Sequence, residues 1–441
     1  MRVGLKCLLS FFLASLLLLA ACDESDIKYW KWNLITLNEQ HTPYAQDAVC
    51  GNGSPYKFFI NPSNVSNNLL IYIEAGGACW DFASCSGLEG IRGAANPNGI
   101  PDDYMEGLSM PALMSPFVLR DHPWDALPTK DWTILFIPYC TGDVHTGDRL
   151  AAYTDPATGE TLEWHHNGHT NIMAVLHWLT EGPFSWHFDS IDKLMVTGCS
   201  AGGAGSIINY HYIRKTLGDR VKQAYLLNDS GPIYPAWDSG QSLSDDGSHT
   251  YTDYPHSLPL HRTIRAVWGI DAAGVLDGIT ADMPDSFHSN DFGSLNDALA
   301  AYYIDRGDRL AHTQFSMDGN YSSYSYERFY PASIGSPPDM DVIQAYWQED
   351  EQYLLDVYDR TSNWGYFIPF YRPFNESHCT CVLSFDDTSI QGTGMDMKDY
   401  INALLGESPM AQLRYWEGYN WLDMNRPYWG WELVDLLMES L

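Results

Sequence analysis

Leu194-Met195-Val196-Thr197-Gly198-Cys199-Ser200-Ala201-Gly202-Gly203 is the stretch that decides the fold. Leu194 to Val196 is a short apolar run of the kind that forms a buried strand. It leads into Gly-x-Ser-x-Gly and then into Ser206-Ile207-Ile208-Asn209-Tyr210-His211-Tyr212-Ile213, whose apolar residues are spaced as on a helix. Strand, sharp turn and helix with a serine at the turn make a nucleophile elbow, the signature of an α/β-hydrolase. The serine must adopt a strained backbone, so Gly198 and Gly202 have to be small enough for strand and helix to approach. A helix beginning behind Ser200 also brings free backbone N–H groups and a partial positive charge to the place where an oxyanion forms.

Outward from the elbow, continuous apolar runs alternate with helical patterns. Leu69 to Ile73, Trp132 to Tyr139, Ala224 to Leu227, Ala311 to Met317 and Trp364 to Tyr371 read as strands. Helical spacing appears at Asn171 to Thr180, Ser294 to Asp305 and Asp341 to Tyr358. Uninterrupted apolar strands alternating with helices predict an α/β fold, a mainly parallel sheet covered by helices on both faces. Ser84 to Lys130 and Gly231 to Pro259 are rich in turn formers and read as long loop or lid insertions. With no internal repeat and no shift in composition, residues 41–441 are expected to form a single α/β-hydrolase domain.

The 441 residues carry 56 acidic against 24 basic side chains, a formal net charge of -32. Such a field repels phosphate backbones, so nucleic acid is excluded as a partner, and a polyanionic substrate is disfavoured. Arg2 and Lys6 precede an almost wholly apolar segment, Cys7 to Leu19, which is closed by Leu19-Ala20-Ala21-Cys22. Residues 1–21 therefore read as a lipoprotein signal peptide, Cys22 as the lipidated mature N-terminus, and residues 22–40 as a tether. The expectation is an exported bacterial lipoprotein, anchored to a membrane through its lipid and facing the periplasm or exterior. In an exported chain most of the cysteines beyond Cys22 should be paired. Seven remain, so one stays free, and Cys79 and Cys85, flanking a short loop, are positioned to bridge.

A serine hydrolase of this fold takes its acid and base after the nucleophile, each on a turn at the carboxyl end of a later strand. His378 follows the Trp364 to Tyr371 strand and is the expected base. Asp318, which ends its strand later in the chain, is preferred over Asp229 as the acid. For the oxyanion hole the candidates are the backbone N–H of Ala201 and those of Gly76 and Gly77 in the loop after the first strand. No cofactor or metal is expected. The His165-His166-Asn167-Gly168-His169 cluster reads as a loop capping the next helix, and Asp143, His145 and Asp148 as a solvated turn. The aromatic tail (Tyr415, Trp416, Tyr419, Trp421, Tyr428, Trp429, Trp431) reads as core packing.

Four ordered motifs carry a resemblance: Glu74-Ala75-Gly76-Gly77-Ala78-Cys79-Trp80, Tyr139-Cys140-Thr141-Gly142-Asp143, Gly198-Cys199-Ser200-Ala201-Gly202-Gly203 and Ser377-His378-Cys379. Together they resemble the motif set of the pectin acetylesterase and Notum carboxylesterase family, from Cys50 to Cys379. The resemblance implies a Ser200, Asp318, His378 triad with oxyanion donors at Gly76, Gly77 and Ala201. It also implies a serine carboxylic ester hydrolase that removes small acyl groups, acetyl foremost, from a carbohydrate or similar ester through an acyl-enzyme. The alternatives are a lipase-like or acyl-protein carboxylesterase, and a catalytically silent hydrolase fold that only binds. Ala78 and Cys199 depart from the usual family residues and raise the question of acyl and alcohol specificity.

Overall fold

A computed structural model describes residues 27–37, 42–88, 93–107, 109–243, 253–271, 274–326 and 340–418. The signal segment, Cys22 and the aromatic residues from Tyr419 onward lie outside the described residues. Eleven strands are described: β1 (Asn33–Thr36), β2 (Lys57–Asn61), β3 (Leu69–Ile73), β4 (Thr133–Ile137), β5 (Arg149–Thr154), β6 (Thr161–His166), β7 (Ile191–Cys199), β8 (Val221–Asp229), β9 (Arg309–Thr313), β10 (Trp364–Ile368) and β11 (Arg414–Trp416). Helices longer than two turns are α1 (Gly168–Glu181), α2 (Ala201–Leu217), α3 (Leu258–Trp268), α4 (Val275–Asp282), α5 (Leu295–Tyr303), α6 (Gly319–Tyr326), α7 (Met340–Asp359) and α8 (Met397–Leu404).

Nine strands form one sheet in the order β1-β2-β4-β3-β7-β8-β9-β10-β11. From β4 through β11 every neighbouring pair is parallel, while β1 and β2 add an antiparallel edge. Every residue of β3, β4 and β10 is buried, as their unbroken apolar sequences require of strands covered on both faces. This is the α/β architecture expected. The chain runs from β3 to β4 on one side, and β7 returns on the other side of β3. That reversal opens a crevice at the carboxyl ends of β3 and β7, where α/β sheets hold their ligands. The Gly76-Gly77 loop leaves β3 there, and Ser200 leaves β7.

Several elements differ from expectation. Residues 33–36, assigned to the tether, are a strand paired with β2, and Trp32 packs edge-on against Phe136 at 6.2 Å. Four residues of mixed polarity on a half-exposed edge carry too little period-2 pattern to stand out. Residues 149–154 and 161–166 form a separate two-stranded hairpin. It places His165 and His166 on β6 and His169 in α1, so His165 and His169 do not share a helix face. A further strand that the sequence did not reveal, β11, pairs beyond Trp364–Ile368 and carries Tyr415 and Trp416.

Three disulfides tie the loops at the active edge: Cys50–Cys140, Cys79–Cys85 and Cys199–Cys379, leaving Cys381 free and buried. The Cys79–Cys85 bridge and the single free thiol match expectation. Cys199–Cys379 joins residues 180 apart in sequence. Chain entropy alone assigns such a bridge roughly 5 kcal/mol of stabilisation.

Candidate active site

Ser200 has φ 56° and ψ −121°, a conformation that L-residues avoid, and α2 begins at the next residue. The turn closes only because its glycines carry no side chain. A Cβ on Gly202 would lie 2.0 Å from the carbonyl oxygen of Ile73, and one on Gly198 would lie 2.3 Å from the same oxygen. The elbow therefore presses against the end of β3, which brings Ser200 beside the loop that follows it. Ser200, Ala201, Gly76 and Gly77 all line one cavity. The N-terminus of α2 points at this cavity and contributes its partial positive charge.

Asp318 and His378 come together across the carboxyl ends of β9 and β10. His378 Nδ1 and Asp318 Oδ2 are 2.7 Å apart, both side chains being buried. Oδ1 of the same carboxylate accepts from the backbone N–H groups of Asn320 and Tyr321 at the start of α6. Because an ionised carboxylate only accepts, Nδ1 carries the proton, and the neutral ring presents Nε2 as a bare acceptor. That Nε2 is buried and has no hydrogen-bond partner, so Ser200 and His378 are not yet joined. Catalytic hydrogen bonds commonly tighten only once substrate is bound. Burial lowers the basicity of the ring, but the charge and hydrogen bond of Asp318, with Asp229 and Glu376 behind them, outweigh it and hold His378 above its usual 6.5.

His378 is tied to Ser200 through the chain on either side of them. Cys199 precedes Ser200, Cys379 follows His378, and their Cα atoms are 5.8 Å apart in the disulfide. Cys199 is thus a structural link, fully buried, and no part of the cavity wall; Ala78 does line the cavity. The loop that carries His378 is locally strained, with φ of 51°, 53°, 57° and 67° at Asn375, Glu376, Ser377 and Cys379. It is held by its neighbours. The buried Arg372 donates through Nη2 to the Cys379 carbonyl at 2.6 Å, and Cys379 N–H donates to Ser230 Oγ at 3.1 Å. Asp229, the rejected acid, accepts from Thr380 N–H, Thr380 Oγ and Cys381 N–H, each at 3.0 Å. Its carboxylate anchors the loop that carries His378.

The Gly76-Gly77 loop has its own root. Glu74 Oε2 accepts from Tyr139 N–H at 2.7 Å, and Oε1 from the Tyr104 hydroxyl at 2.8 Å. Burial pushes this carboxyl up to about 8, although both hydrogen bonds oppose the shift. His145 Nε2 lies 2.9 Å from the Glu74 carbonyl and donates to it, since a carbonyl only accepts. Asp143 accepts from Thr141 Oγ, His145 N–H, Gly147 N–H and Gly168 N–H. Asp143 and His145 are therefore buried braces and not the solvated turn expected. Sequence reasoning missed them because surface turns and buried polar braces share one composition. The histidine cluster is likewise occupied internally. His166 Nε2 meets the Tyr153 hydroxyl at 2.7 Å, and His169 Nδ1 meets Asn209 Oδ1 at 3.0 Å. Among the described residues, the groupings with metal-ligand proximity are Cys79, Cys85, His166 and Cys199, His378, Cys379. The sulfurs of both are already spent in disulfides.

Fold and crevice define a protein of the α/β-hydrolase class. Within it, residues 30–243 match the family model described as Pectinacetylesterase. The palmitoleoyl-protein carboxylesterase notum1a of Danio rerio is 28% identical over 187 residues, 42% of this chain and 33% of that protein. Pectin acetylesterase 4 of Arabidopsis thaliana is 28% identical over 190 residues, 42% of this chain and 41% of that protein. The solved structure of the Wnt deacylase Notum from Drosophila shares the fold, with a TM-score of 0.51 at 17% identity over 86% of this chain and 93% of that one. The resemblance to the pectin acetylesterase and Notum carboxylesterase family is thereby borne out. The chain spans about a third of the length of the Danio relative, and the family match contains the oxyanion loop and elbow but not Asp318 or His378.

Proposed function

We propose that the chain is a serine carboxylic ester hydrolase with Ser200 as nucleophile, His378 as general base and Asp318 as the residue that orients it. The observation that carries this is the buried Asp318–His378 pair, whose free Nε2 sits one residue from a disulfide to the elbow. Ser200 attacks the ester carbonyl while His378 Nε2 takes its proton. The developing oxyanion is met by N–H groups from Ala201 and the Gly76-Gly77 loop. His378 then returns the proton to the leaving alcohol and activates water against the acyl-enzyme. No cofactor enters this sequence.

The cavity bears on the acyl group. Ser200, Ala204 and Ile208 line it at four-residue spacing along α2, a span of about 12 Å. Its other walls include Val144, Ile233, Leu260, Ile264 and Trp268. An apolar lining that extends this far from Ser200 favours the second reading, an esterase for longer acyl chains. A p-nitrophenyl ester series from acetate to palmitate tests both. Activity peaking between about four and eight carbons is expected, whereas a maximum at acetate restores the acetylesterase reading.

Run across pH, the same assay reads the base. His378 must be neutral to act, so kcat/KM is expected to fall on the acid side with an apparent pKa above 6.5. The sign is opposite for stability. A raised histidine pKa contributes stability that is complete below the unfolded value and is lost as pH rises through the folded one. An acid limb well below 6.5 would remove His378 as the base.

We further infer export and anchoring through a lipidated Cys22, supported by the charged, apolar and small-residue order of residues 1–22. No described helix is long and apolar enough to cross a membrane. Mass spectrometry of the membrane-fraction protein is expected to find the mature chain starting at an acylated Cys22; an unmodified cysteine or another start overturns the anchor.

A further inference from the structure

The wall of the cavity beside Ser200 holds a polar side chain that the protein itself leaves unused. His261 lies in α3 next to Leu260 and three residues before Ile264, and all three line the cavity. The residue is only 6% exposed, and its ring packs edge-on against Phe292 at 5.3 Å. Nδ1 of the ring is buried with no hydrogen-bond partner. Two serine hydroxyls of the wall are engaged by the protein: Ser257 Oγ donates to the Pro235 carbonyl at 2.6 Å and Ser325 Oγ to the Tyr321 carbonyl at 2.9 Å. An unpaired buried polar atom forfeits the hydrogen bond it had with water, and a hydroxyl that enters the cavity and reaches the ring restores one.

The cavity is where the acyl part of an ester would sit. It follows α2 inward from Ser200 to the buried Ile208, and the acyl group is the part that stays attached to the serine while the alcohol departs to solvent. Burial, with the Arg265 charge adding to it, pushes the imidazole down to about 3. The ring is therefore neutral at working pH, with one nitrogen donating and the other accepting. A hydroxyl, itself both donor and acceptor, is the matching partner; a carboxylate or an ammonium would also bring an uncompensated charge into an apolar cavity.

We propose that His261 is a specificity-determining residue that hydrogen-bonds a hydroxyl on the entering acyl group, so that esters of hydroxylated acids are preferred over those of plain alkyl acids. The proposal rests on the serine esterase reading, and the test separates the two. The p-nitrophenyl esters of hexanoic, 3-hydroxyhexanoic and 6-hydroxyhexanoic acid are compared on wild type, His261→Leu and His261→Gln. Wild type is expected to favour one hydroxylated ester over hexanoate by about tenfold in kcat/KM, the worth of one neutral hydrogen bond. In His261→Leu that ratio falls by about tenfold, and His261→Gln, which keeps a donor and an acceptor, retains part of it. An equal ratio in wild type and folded His261→Leu, or a wild-type preference for hexanoate over both hydroxylated esters, overturns the proposal. Binding of the corresponding amides to Ser200→Ala, followed by NMR titration, reads the subsite without turnover. Tighter binding of a hydroxylated amide than of hexanamide supports it even if no ester is cleaved, and equal binding overturns it. Absence of cleavage of every ester by wild type defeats the esterase reading alone.

Discussion

Ser200→Ala is expected to lower kcat on the best p-nitrophenyl ester by roughly 10⁴- to 10⁶-fold, the usual consequence of removing a nucleophile whose partners act as a unit. The fold should survive. Serine and alanine both carry a Cβ, so the strain of φ 56° at this turn is unchanged by the substitution. The glycines that let the elbow close against Ile73 are also untouched. Circular dichroism and the thermal midpoint should therefore match wild type while turnover collapses. The residue of activity that remains is what the oxyanion donors and substrate binding supply without covalent catalysis. Retention of activity within tenfold of wild type would end the case for Ser200 as nucleophile and, with it, the triad.

The second large effect separates two buried carboxylates. Asp318→Asn is expected to cost about 10⁴-fold in kcat with little loss of stability. The amide oxygen can still accept from Asn320 and Tyr321, as Oδ1 of Asp318 does. Its NH₂ group, however, would face His378 Nδ1 and force the proton onto Nε2, the nitrogen that must accept from the nucleophile. Asp229→Asn should do the reverse. Oδ1 of Asp229 accepts from Thr380 N–H and Thr380 Oγ, and Oδ2 from Cys381 N–H. With donors on both oxygens, an NH₂ must point at one of them. A loss of about 3 kcal/mol in denaturant unfolding is expected, with a smaller effect on kcat through a loosened His378 loop. A severe catalytic defect confined to the Asp229 variant would exchange the two roles.

What could be read from the chain was local. The elbow was legible because its causes lie within ten residues: an apolar run, two glycines at fixed offsets from a serine, and helical spacing behind them. Asp318 and His378 were legible through order and through the strands that precede them, because in a parallel sheet the carboxyl ends all fall on one edge. The edge strand Asn33–Thr36 and the hairpin at 149–166 were not. Short strands of mixed polarity owe their existence to a partner elsewhere, and their own pattern is weak.

Partnership across distance was beyond the sequence for the same reason. Cys50–Cys140 and Cys199–Cys379 pair residues 90 and 180 positions apart, and nothing near a cysteine records its partner. Asp143 looked like a surface turn until four donors converged on it, and Cys199 like a pocket neighbour until it bridged to Cys379. His261 was one of several histidines in the later part of the chain, and only packing placed its unpartnered Nδ1 in the wall of an apolar cavity. The sequence by itself determined the α/β class, the elbow and the order of the reactive residues, since these follow from short-range periodicity and backbone demands. Tertiary structure alone decided which carboxylate meets the imidazole, what ties His378 to Ser200 and what lines the cavity beside Ser200. Burial and hydrogen bonding of those groups are properties of segments brought together from across the chain.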